Sequence, residues 1–264
     1  MGKRIRLSNG RRLVEDVIRV AKNQPMGSLV RDLDLSQVAR LRKQVHPRLS
    51  WNVLFMKAYS IVCAENSDLR SSYVPFPWPH LYLHDDNVCF LTISREYQGE
   101  MWLFFARFNT PENKSLLHLQ QQFETYRNAP PETIKQFRHQ ITFSKYPFFV
   151  RRFVWWLLFT FFPKHRMNNM GTFGMNLSGF KDTIGAHGSM TLGPITTIIG
   201  VDLLPRRGIS KFLYTFDHRV LDGKPAFDMI EELYKALKGP IADELTLLAG
   251  DSELAQTTHE EARN

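Results

Sequence analysis

One histidine lies in a short polar motif that follows an apolar run, in residues 215–223 (TFDHRVLDG). His218 comes after the apolar residues 212–214, and an Asp-Gly pair begins four residues later at Asp222. Imidazole is the side chain best suited to proton transfer near neutral pH. The carboxylate can hold a loop or an arginine in place, and the glycine allows a turn. Because a helical pattern follows over residues 225–237, we expect His218 in a strand-to-helix turn on a rigid scaffold.

The rest of the chain mixes helical and strand patterns. Apolar spacing predicts helices over residues 11–22, 36–43, 51–65, 110–127 and from 132 onward. It predicts strands over residues 27–35, 80–83, 88–94, 100–107, 172–177, 195–203 and 211–216. Ser36 and Ser50 are expected N-caps. A regular βαβ alternation is missing, which favours an α/β or α+β layer with a mixed sheet.

Composition and charge limit the class of protein. The chain has 264 residues, of which 43% are hydrophobic and 23% charged, as in a soluble globular protein. Its net charge of +8 favours an anionic partner, such as a nucleotide-containing cofactor, an acidic surface or a phospholipid headgroup. No finger, recognition-helix or RNA-stacking motif indicates nucleic acid. Residues 1–9 predict a basic arm without the apolar segment of a secretory signal, so we expect a cytoplasmic location.

The cysteines and the other histidines give no metal pattern. Cys63 and Cys89 lie in apolar surroundings without CxxC spacing, so we expect two buried free thiols. His84, Asp85 and Asp86 are adjacent metal-binding residue types, but an Asp-Asp-Asn sequence is more typical of a turn. P-loop, dinucleotide-binding, zinc and GxSxG motifs are absent. We therefore expect no metal.

Residues 145–166 (KYPFFVRRFVWWLLFTFFPKHR) are unusual in composition. Within them, residues 153–162 are all apolar or aromatic except Thr160, and basic residues flank the run. The run is shorter than the ~20 residues that cross a bilayer. One interpretation is an element that inserts shallowly beside anionic headgroups. The other, which we favour because apolar runs of about 10–14 residues are usually core, is a buried helix or a subunit contact.

The motif TFDHRVLDG resembles the His-x-x-x-Asp-Gly signature of the chloramphenicol acetyltransferase-like superfamily. In its fuller form it is similar to the catalytic domain of the dihydrolipoamide acyltransferases, the E2 components of 2-oxo acid dehydrogenase complexes. Residues 114–116 (KSL), 171–177 (GTFGMNL) and 198–201 (IIGV) resemble that domain's segments in the same order. The resemblance covers most of residues 10–240.

The resemblance implies an α/β (α+β) two-layer sandwich, in which helices flank a mixed β-sheet. It implies a catalytic domain over residues 10–250, with an inserted segment at 126–170, followed by a polar tail at 251–264 that we expect to be frayed. It also implies a homotrimer with the active site between subunits.

The chemistry of that family is acyl transfer between a thiol, often coenzyme A, and an acceptor. By resemblance, His218 is the general base and Asp222 fixes the site through an arginine, for which Arg11 or Arg12 is the candidate. In the family, a serine or threonine of the Gly-Thr-Phe strand supplies the oxyanion donor, and here the serine of its Ile-Ser-Asn sequence is not present as such. A gap-free match puts Asn176 at that position, while Ser178 is displaced by two residues, and both stay open.

No lipoyl domain or Pro/Ala-rich linker precedes the domain, so we expect no covalent lipoyl group on this chain. The leading hypothesis is a stand-alone acyltransferase with acyl-CoA as co-substrate and a small-molecule or lipid-like acceptor. A second hypothesis is a catalytically inactive trimeric scaffold or binding module. A third is an E2 core that acts on lipoyl domains supplied by other chains.

Overall fold

The structure is a computed structural model that describes residues 2–4, 6–178, 195–202 and 209–261. Its helices are α1 (Asn9–Ala21), α2 (Ser36–Gln44), α3 (Trp51–Glu65), α4 (Leu116–Asn128), α5 (Lys135–Ser144), α6 (Phe148–Phe161), α7 (Pro163–Met170), α8 (Gly223–Lys238) and α9 (Pro240–Glu261). Its strands are β1 (Met26–Asp34), β2 (Ser71–Val74), β3 (His80–Leu83), β4 (Val88–Tyr97), β5 (Glu100–Asn109), β6 (Phe173–Ser178), β7 (Thr197–Asp202) and β8 (Ile209–Asp217).

A mixed sheet in the order β1-β8-β7-β6-β4-β5 forms the centre of the molecule. Strands β4, β6 and β7 run parallel, while β1, β8 and β5 run antiparallel to their neighbours. Strands β2 and β3 form a separate two-stranded ribbon. The α/β fold class with a mixed sheet flanked by helices is therefore confirmed.

Apolar side chains cover the sheet on both faces. Phe104 and Phe105 are neighbours on β5 and so point to opposite faces. Phe104 belongs to the main core, which includes side chains of α3, α4, α8 and α9. Phe105 belongs to a smaller cluster with Val17 of α1 and Met170 of α7.

Two glutamines of α5 form hydrogen bonds with backbone groups along the outer edge of β5. The amide of Gln140 accepts from the backbone N–H of Phe105 at 3.0 Å and donates to its carbonyl at 2.8 Å. Gln136 accepts from the backbone N–H of Arg107 at 3.3 Å. The hydroxyl of Tyr126 donates to the Arg107 carbonyl at 2.9 Å. Helix α5 therefore takes the place of a further strand at this edge.

Most predicted elements are present, and the differences lie at their ends. Ser50 caps α3 as expected, but Ser36 is the first residue of α2 and donates its N–H to Asp34 at 2.9 Å. The helix expected from residue 110 begins at Leu116, because the Ser115 hydroxyl accepts from the backbone N–H of His118. The tail expected to be frayed from residue 251 continues α9 to Glu261.

The aromatic segment does not form a fully buried helix, which corrects that part of the expectation, while a subunit contact stays a prediction. In α6 the fully buried residue is Arg151, whereas Phe153 and Trp156 are exposed. Arg151 is buried because its Nε donates to the equally buried carboxylate of Asp16 on α1 at 2.6 Å. This ion pair holds one side of α6 against the protein, where Trp155 and Phe159 also pack against the smaller cluster, and leaves Phe153 and Trp156 on the outer side.

Cys63 and Cys89 are buried free thiols, as predicted, and burial raises the pKa of both. His84 is buried and hydrogen-bonds through Nε2 to the Ser72 hydroxyl at 3.0 Å. Burial, and next the positive charge of Arg166, lower the pKa of His84 to about 4. Over the residues described here, no cluster of His, Cys, Asp and Glu could hold a metal ion.

Candidate active site

The histidine of the opening motif lies where β8 ends. Strand β8 lies between β1 and β7, and its last backbone N–H, that of Asp217, donates to the Thr196 carbonyl at 2.9 Å. The next N–H, that of His218, donates to the carbonyl of Pro25, just before β1, at 2.8 Å. The side chain of His218 is exposed. The backbone of the turn is thus fixed on both sides while the imidazole faces solvent.

Gly27 and Phe216 set the position of the imidazole ring. The rings of Phe216 and His218 meet edge to face, with centroids 4.8 Å apart. A β-carbon at Gly27 would lie 2.6 Å from Cζ of Phe216 and 2.7 Å from Nε2 of His218. Since such distances are far below van der Waals contact, the absence of a side chain at Gly27 allows this ring position.

A buried carboxylate fixes the turn around His218. Asp217 is almost fully buried and forms a bidentate pair with Arg219, with its Oδ2 2.6 Å from Nη2. Its Oδ1 also accepts the backbone N–H of Arg219 at 3.0 Å. Gln24 donates through Nε2 to Asp217 at 2.8 Å and to the Ile195 carbonyl at 2.9 Å. These bonds tie the loops before β1 and β7 to the histidine turn.

A second arginine lies beside this network. The guanidinium of Arg219 stacks on the ring of Tyr73 at 4.3 Å, and Nη1 of Arg166 donates to the Tyr73 carbonyl at 3.0 Å. Arg166 is buried, and this burial, together with the charge of Arg219, lowers its pKa to about 10. The turn is therefore joined through Tyr73 to the β2–β3 ribbon and to α7.

Asp222 occupies the N-cap position of α8, but its side chain makes no capping hydrogen bond and is exposed. Arg11 and Arg12 lie on α1, which packs against β5, α5 and α6. The side chain of Arg12 donates to Asn9 at 3.4 Å. Among the described residues no ion pair joins Asp222 to either arginine, so the expected pairing is not formed within this chain. The buried carboxylate of α1 is that of Asp16, and it pairs with Arg151.

The candidate oxyanion donors lie further along the sheet, away from the end that carries His218. Asn176 on β6 pairs in register with Gly200, which pairs with Leu213 on β8. Leu213 is four residues before the end of β8, which corresponds to about 13 Å along the strand. Asn176 is exposed, and Ser178 is two residues further from His218. The side chain of Ser178 lies outside the described part of the chain.

The sequence motif contained part of this site, and the remainder was missed. Asp217 and Arg219 are within the motif, but their pairing depends on the burial of one carboxylate. Gln24 and Gly27 carry no motif. A glycine just inside a predicted strand is the one available signal, because it marks a close approach of another group.

No protein-family model matches this chain, and no curated protein matches its sequence. Solved structures do match it. The 2-oxoacid dehydrogenase catalytic core of Thermoplasma acidophilum has a TM-score of 0.63 and 16% identity, covering 90% of this chain and 99% of that one. A probable dihydrolipoamide acetyltransferase of Listeria monocytogenes has a TM-score of 0.63 and 15% identity, covering 90% and 94%.

The fold is that of a dihydrolipoamide acyltransferase catalytic core. The dihydrolipoamide acetyltransferase of Azotobacter vinelandii agrees, with a TM-score of 0.57 and 15% identity over 93% of this chain and 94% of its own. Each comparison spans nearly the whole of both chains, so the likeness concerns the complete acyltransferase-core fold. The predicted resemblance is thereby confirmed at the level of fold.

Proposed function

We propose that this chain is an acyltransferase that moves an acyl group from a CoA-type thioester to a thiol, hydroxyl or amine acceptor. The observation that carries this proposal is the position of the His218 imidazole, which is exposed to solvent just after the end of β8. The backbone bond to Pro25 and the space above Gly27 fix its position. A positioned imidazole that faces solvent suits proton transfer to and from a bound substrate.

The proposed reaction proceeds by direct transfer. His218 removes the proton from the acceptor as its sulfur, oxygen or nitrogen attacks the thioester carbonyl. The carbonyl oxygen becomes an oxyanion, which a hydrogen-bond donor stabilises. The carbon–sulfur bond of the donor then breaks, and the leaving thiolate recovers the proton from the imidazolium. This sequence requires no redox step.

The separation of His218 from Asn176 and Ser178 supports a site that is shared between copies. About 13 Å of strand lies between the level of Asn176 and the end of β8, so neither candidate donor can act on the same substrate carbonyl as the histidine of its own chain. We place the donor of a neighbouring copy opposite His218, in a homotrimer. Asn176 and Ser178 are both candidates, and Asp222 has a positioning role.

The spacing of residues in one similar structure supports the proposed site, and the net charge supports the substrate class. The Azotobacter vinelandii enzyme was studied for the catalytic roles of a serine, a histidine and an asparagine, the last four residues after the histidine. In this chain the residue four after His218 is Asp222. A net charge of +8 suits the phosphates of coenzyme A. The acceptor that we propose is a small molecule or a lipid-like compound.

A screen of acyl-CoA donors with thiol release as the readout tests the proposal. We expect His218→Ala to lower kcat by about a hundredfold to ten-thousandfold, with an unchanged circular dichroism spectrum. His118→Ala, at an exposed histidine of α4, is the matched control. Equal turnover by the wild type and His218→Ala on every active donor would remove the histidine from the reaction.

A mixing experiment tests whether the site is shared. His218→Ala and Asn176→Ala chains are refolded separately and then together; His218→Ala alone is expected to be nearly inactive, and so is Asn176→Ala alone if Asn176 is the donor. If one subunit supplies the base and another the donor, mixed oligomers regain part of the activity. The same mixture with Ser178→Ala identifies which donor is used. Absence of recovery with both donor variants contradicts a shared site.

The substrate screen also separates the other two hypotheses. Turnover of acyl-lipoamide alone would identify an E2 core that serves lipoyl domains of other chains. A stable oligomer that turns over no thioester would identify a scaffold or binding module.

A further inference from the structure

A group of aromatic side chains lies exposed on α6 and on the loop between β2 and β3. We call it the aromatic face, and its members expose between 40% and 69% of their surface: Phe76, Trp78, Phe149, Phe153, Trp156 and Phe161. Phe161 joins the two elements, since its ring lies 4.8 Å from that of Phe76 and 5.5 Å from that of Trp156. Exposed apolar groups that are contiguous in this way mark an interaction surface rather than ordinary surface variation.

The packing of α6 fixes this face outward. Its buried Arg151 donates to Asp16 at 2.6 Å and to the Tyr146 carbonyl at 2.8 Å. Releasing Arg151 so that the aromatic face could turn inward would leave the carboxylate of Asp16 buried and unpaired, which is unfavourable. The exposure is therefore a stable property of the folded chain.

The segment that contains α6 carries charge of one sign. Residues 133–170 contain no aspartate or glutamate. Lys145, Arg152 and Lys164 are exposed on this segment, before, within and after α6. Arg152 stacks on Phe148 at 4.9 Å, and its nearest carboxylate, Glu15 on α1, is 3.8 Å away. A partner for this surface must accept aromatic rings and carry negative charge.

A second copy packed on the same face would bring these cations against one another. A bilayer with anionic headgroups meets both requirements, because aromatic rings sit at the headgroup level and basic side chains reach the phosphates. Helix α6 has 14 residues, enough to lie along an interface. In the part of the chain that the structure describes, no helix has both the length and the apolar composition needed to cross a bilayer.

We propose that the aromatic face docks on an anionic lipid bilayer, with α6 lying along the interface and its basic residues at the headgroups. The face belongs to α6 and the β2–β3 loop, and the proposal is independent of acyl transfer. Only lipid binding tests it, whatever the outcome of the thioester assays.

Flotation of the full chain with vesicles tests this proposal. One set contains phosphatidylcholine alone, and the other contains equal parts phosphatidylcholine and phosphatidylglycerol. We expect binding to the anionic vesicles and weak binding to the neutral ones. We also expect the tryptophan emission to shift to the blue on binding, as Trp78 and Trp156 leave water.

Two sets of variants locate the binding surface. The triple variant Phe149→Ser, Phe153→Ser, Trp156→Ser should lower the partition coefficient by more than about tenfold. Its control, Met101→Ser with Leu247→Ser, removes residues exposed by 67% and 72% elsewhere and should bind as the wild type does. Lys145→Gln and Lys164→Gln should each weaken binding by about fivefold, and added salt should act in the same direction.

The outcomes separate lipid from protein partners. Anionic binding that the aromatic variant loses and the control variant keeps supports the proposal. Absence of binding to anionic vesicles overturns it, and so does binding that the aromatic variant leaves intact. Light scattering without vesicles provides a further check. If the aromatic variant changes the oligomeric mass, the face is a contact between copies and the proposal fails.

Discussion

The Nε2 atom of His218 lies so close to Gly27 that a β-carbon on the glycine would come within 2.7 Å of it. The same β-carbon would lie 2.6 Å from Cζ of Phe216, whose ring fills the space on the other side. The position of the proposed base therefore depends on a residue more than a hundred and ninety positions earlier, on the neighbouring strand β1.

Gly27→Ala should displace the imidazole while the fold is kept. We expect kcat in the acyl-CoA assay to fall by at least about tenfold, because a base out of position transfers protons poorly. Gly250→Ala is the control, since nothing lies within 4 Å of a β-carbon there. Wild-type turnover by a folded Gly27→Ala variant would contradict the assigned ring position.

Asp217→Asn should destabilise the turn that carries His218. The change weakens the pair with Arg219 while the amide keeps much of the shape. We expect the free energy of unfolding in urea to fall by about 2 kcal/mol, since the Arg219 guanidinium loses its charged partner and a neutral amide cannot accept all the hydrogen bonds of the carboxylate. Asp32→Asn, in an exposed pair with Lys211 at 3.7 Å, should change stability by less than about 0.5 kcal/mol. Similar losses in both variants would contradict this account.

The adjacent residues Arg151 and Arg152 should differ sharply in their effect on stability. Arg151→Met leaves Asp16 buried without its partner and should cost about 3–5 kcal/mol of unfolding free energy in urea. Arg152→Met, on the exposed side of α6, should cost less than about 0.5 kcal/mol. The double variant Asp16→Asn, Arg151→Met should lose less than the sum of the single losses. Additive losses would show that the two side chains do not interact.

Stability should fall in mild acid because of His84. Its pKa is lowered to about 4 by burial and then by Arg166, whereas an unfolded histidine has a pKa near ~6.5. Between these values the unfolded chain binds more protons, so stability is present above pH ~6.5 and is lost as the pH falls toward 4.

We expect His84 to account for a loss of about 1–2 kcal/mol of unfolding free energy between pH 7 and pH 5. Urea unfolding at the two pH values measures this loss. His84→Gln should lower stability at pH 7 and reduce the dependence on pH, whereas His118→Gln, at an exposed site, should leave the dependence unchanged. If the unfolding free energy of His84→Gln depends on pH as strongly as that of the wild type, His84 is not the source of the pH dependence.

The sheet and most helices follow from apolar periodicity, which reports which face of an element is buried. Strands β3, β4 and β5 begin at the predicted residues, and β4 and β5 extend further than predicted. The first residues of the helices were predicted less accurately, because the start of a helix depends on which hydroxyl or carboxylate accepts from a free backbone N–H. Asp34, before Ser36, is such a case.

The candidate site was predictable only in part. The identity of His218 came from a local motif, but its geometry comes from Pro25, Gly27 and Gln24, which are distant in sequence. The aromatic helix was the larger failure. A ten-residue run with nine apolar or aromatic residues indicates a core helix unless one knows that the arginine beside it pairs with Asp16 of another helix. Such long-range pairs leave no periodic signal.

The glutamines along the edge of β5 also decide in which direction the sheet can be extended. Positions four apart on a helix are separated by about 6 Å, close to the ~6.8 Å between residues two apart on a strand. The amides of Gln136 and Gln140 therefore stand where the peptide groups of another strand would be. Among the described strands, β1 is the terminal strand on the opposite side. In the described part of the sheet, an additional strand would pair at that edge, beside the histidine.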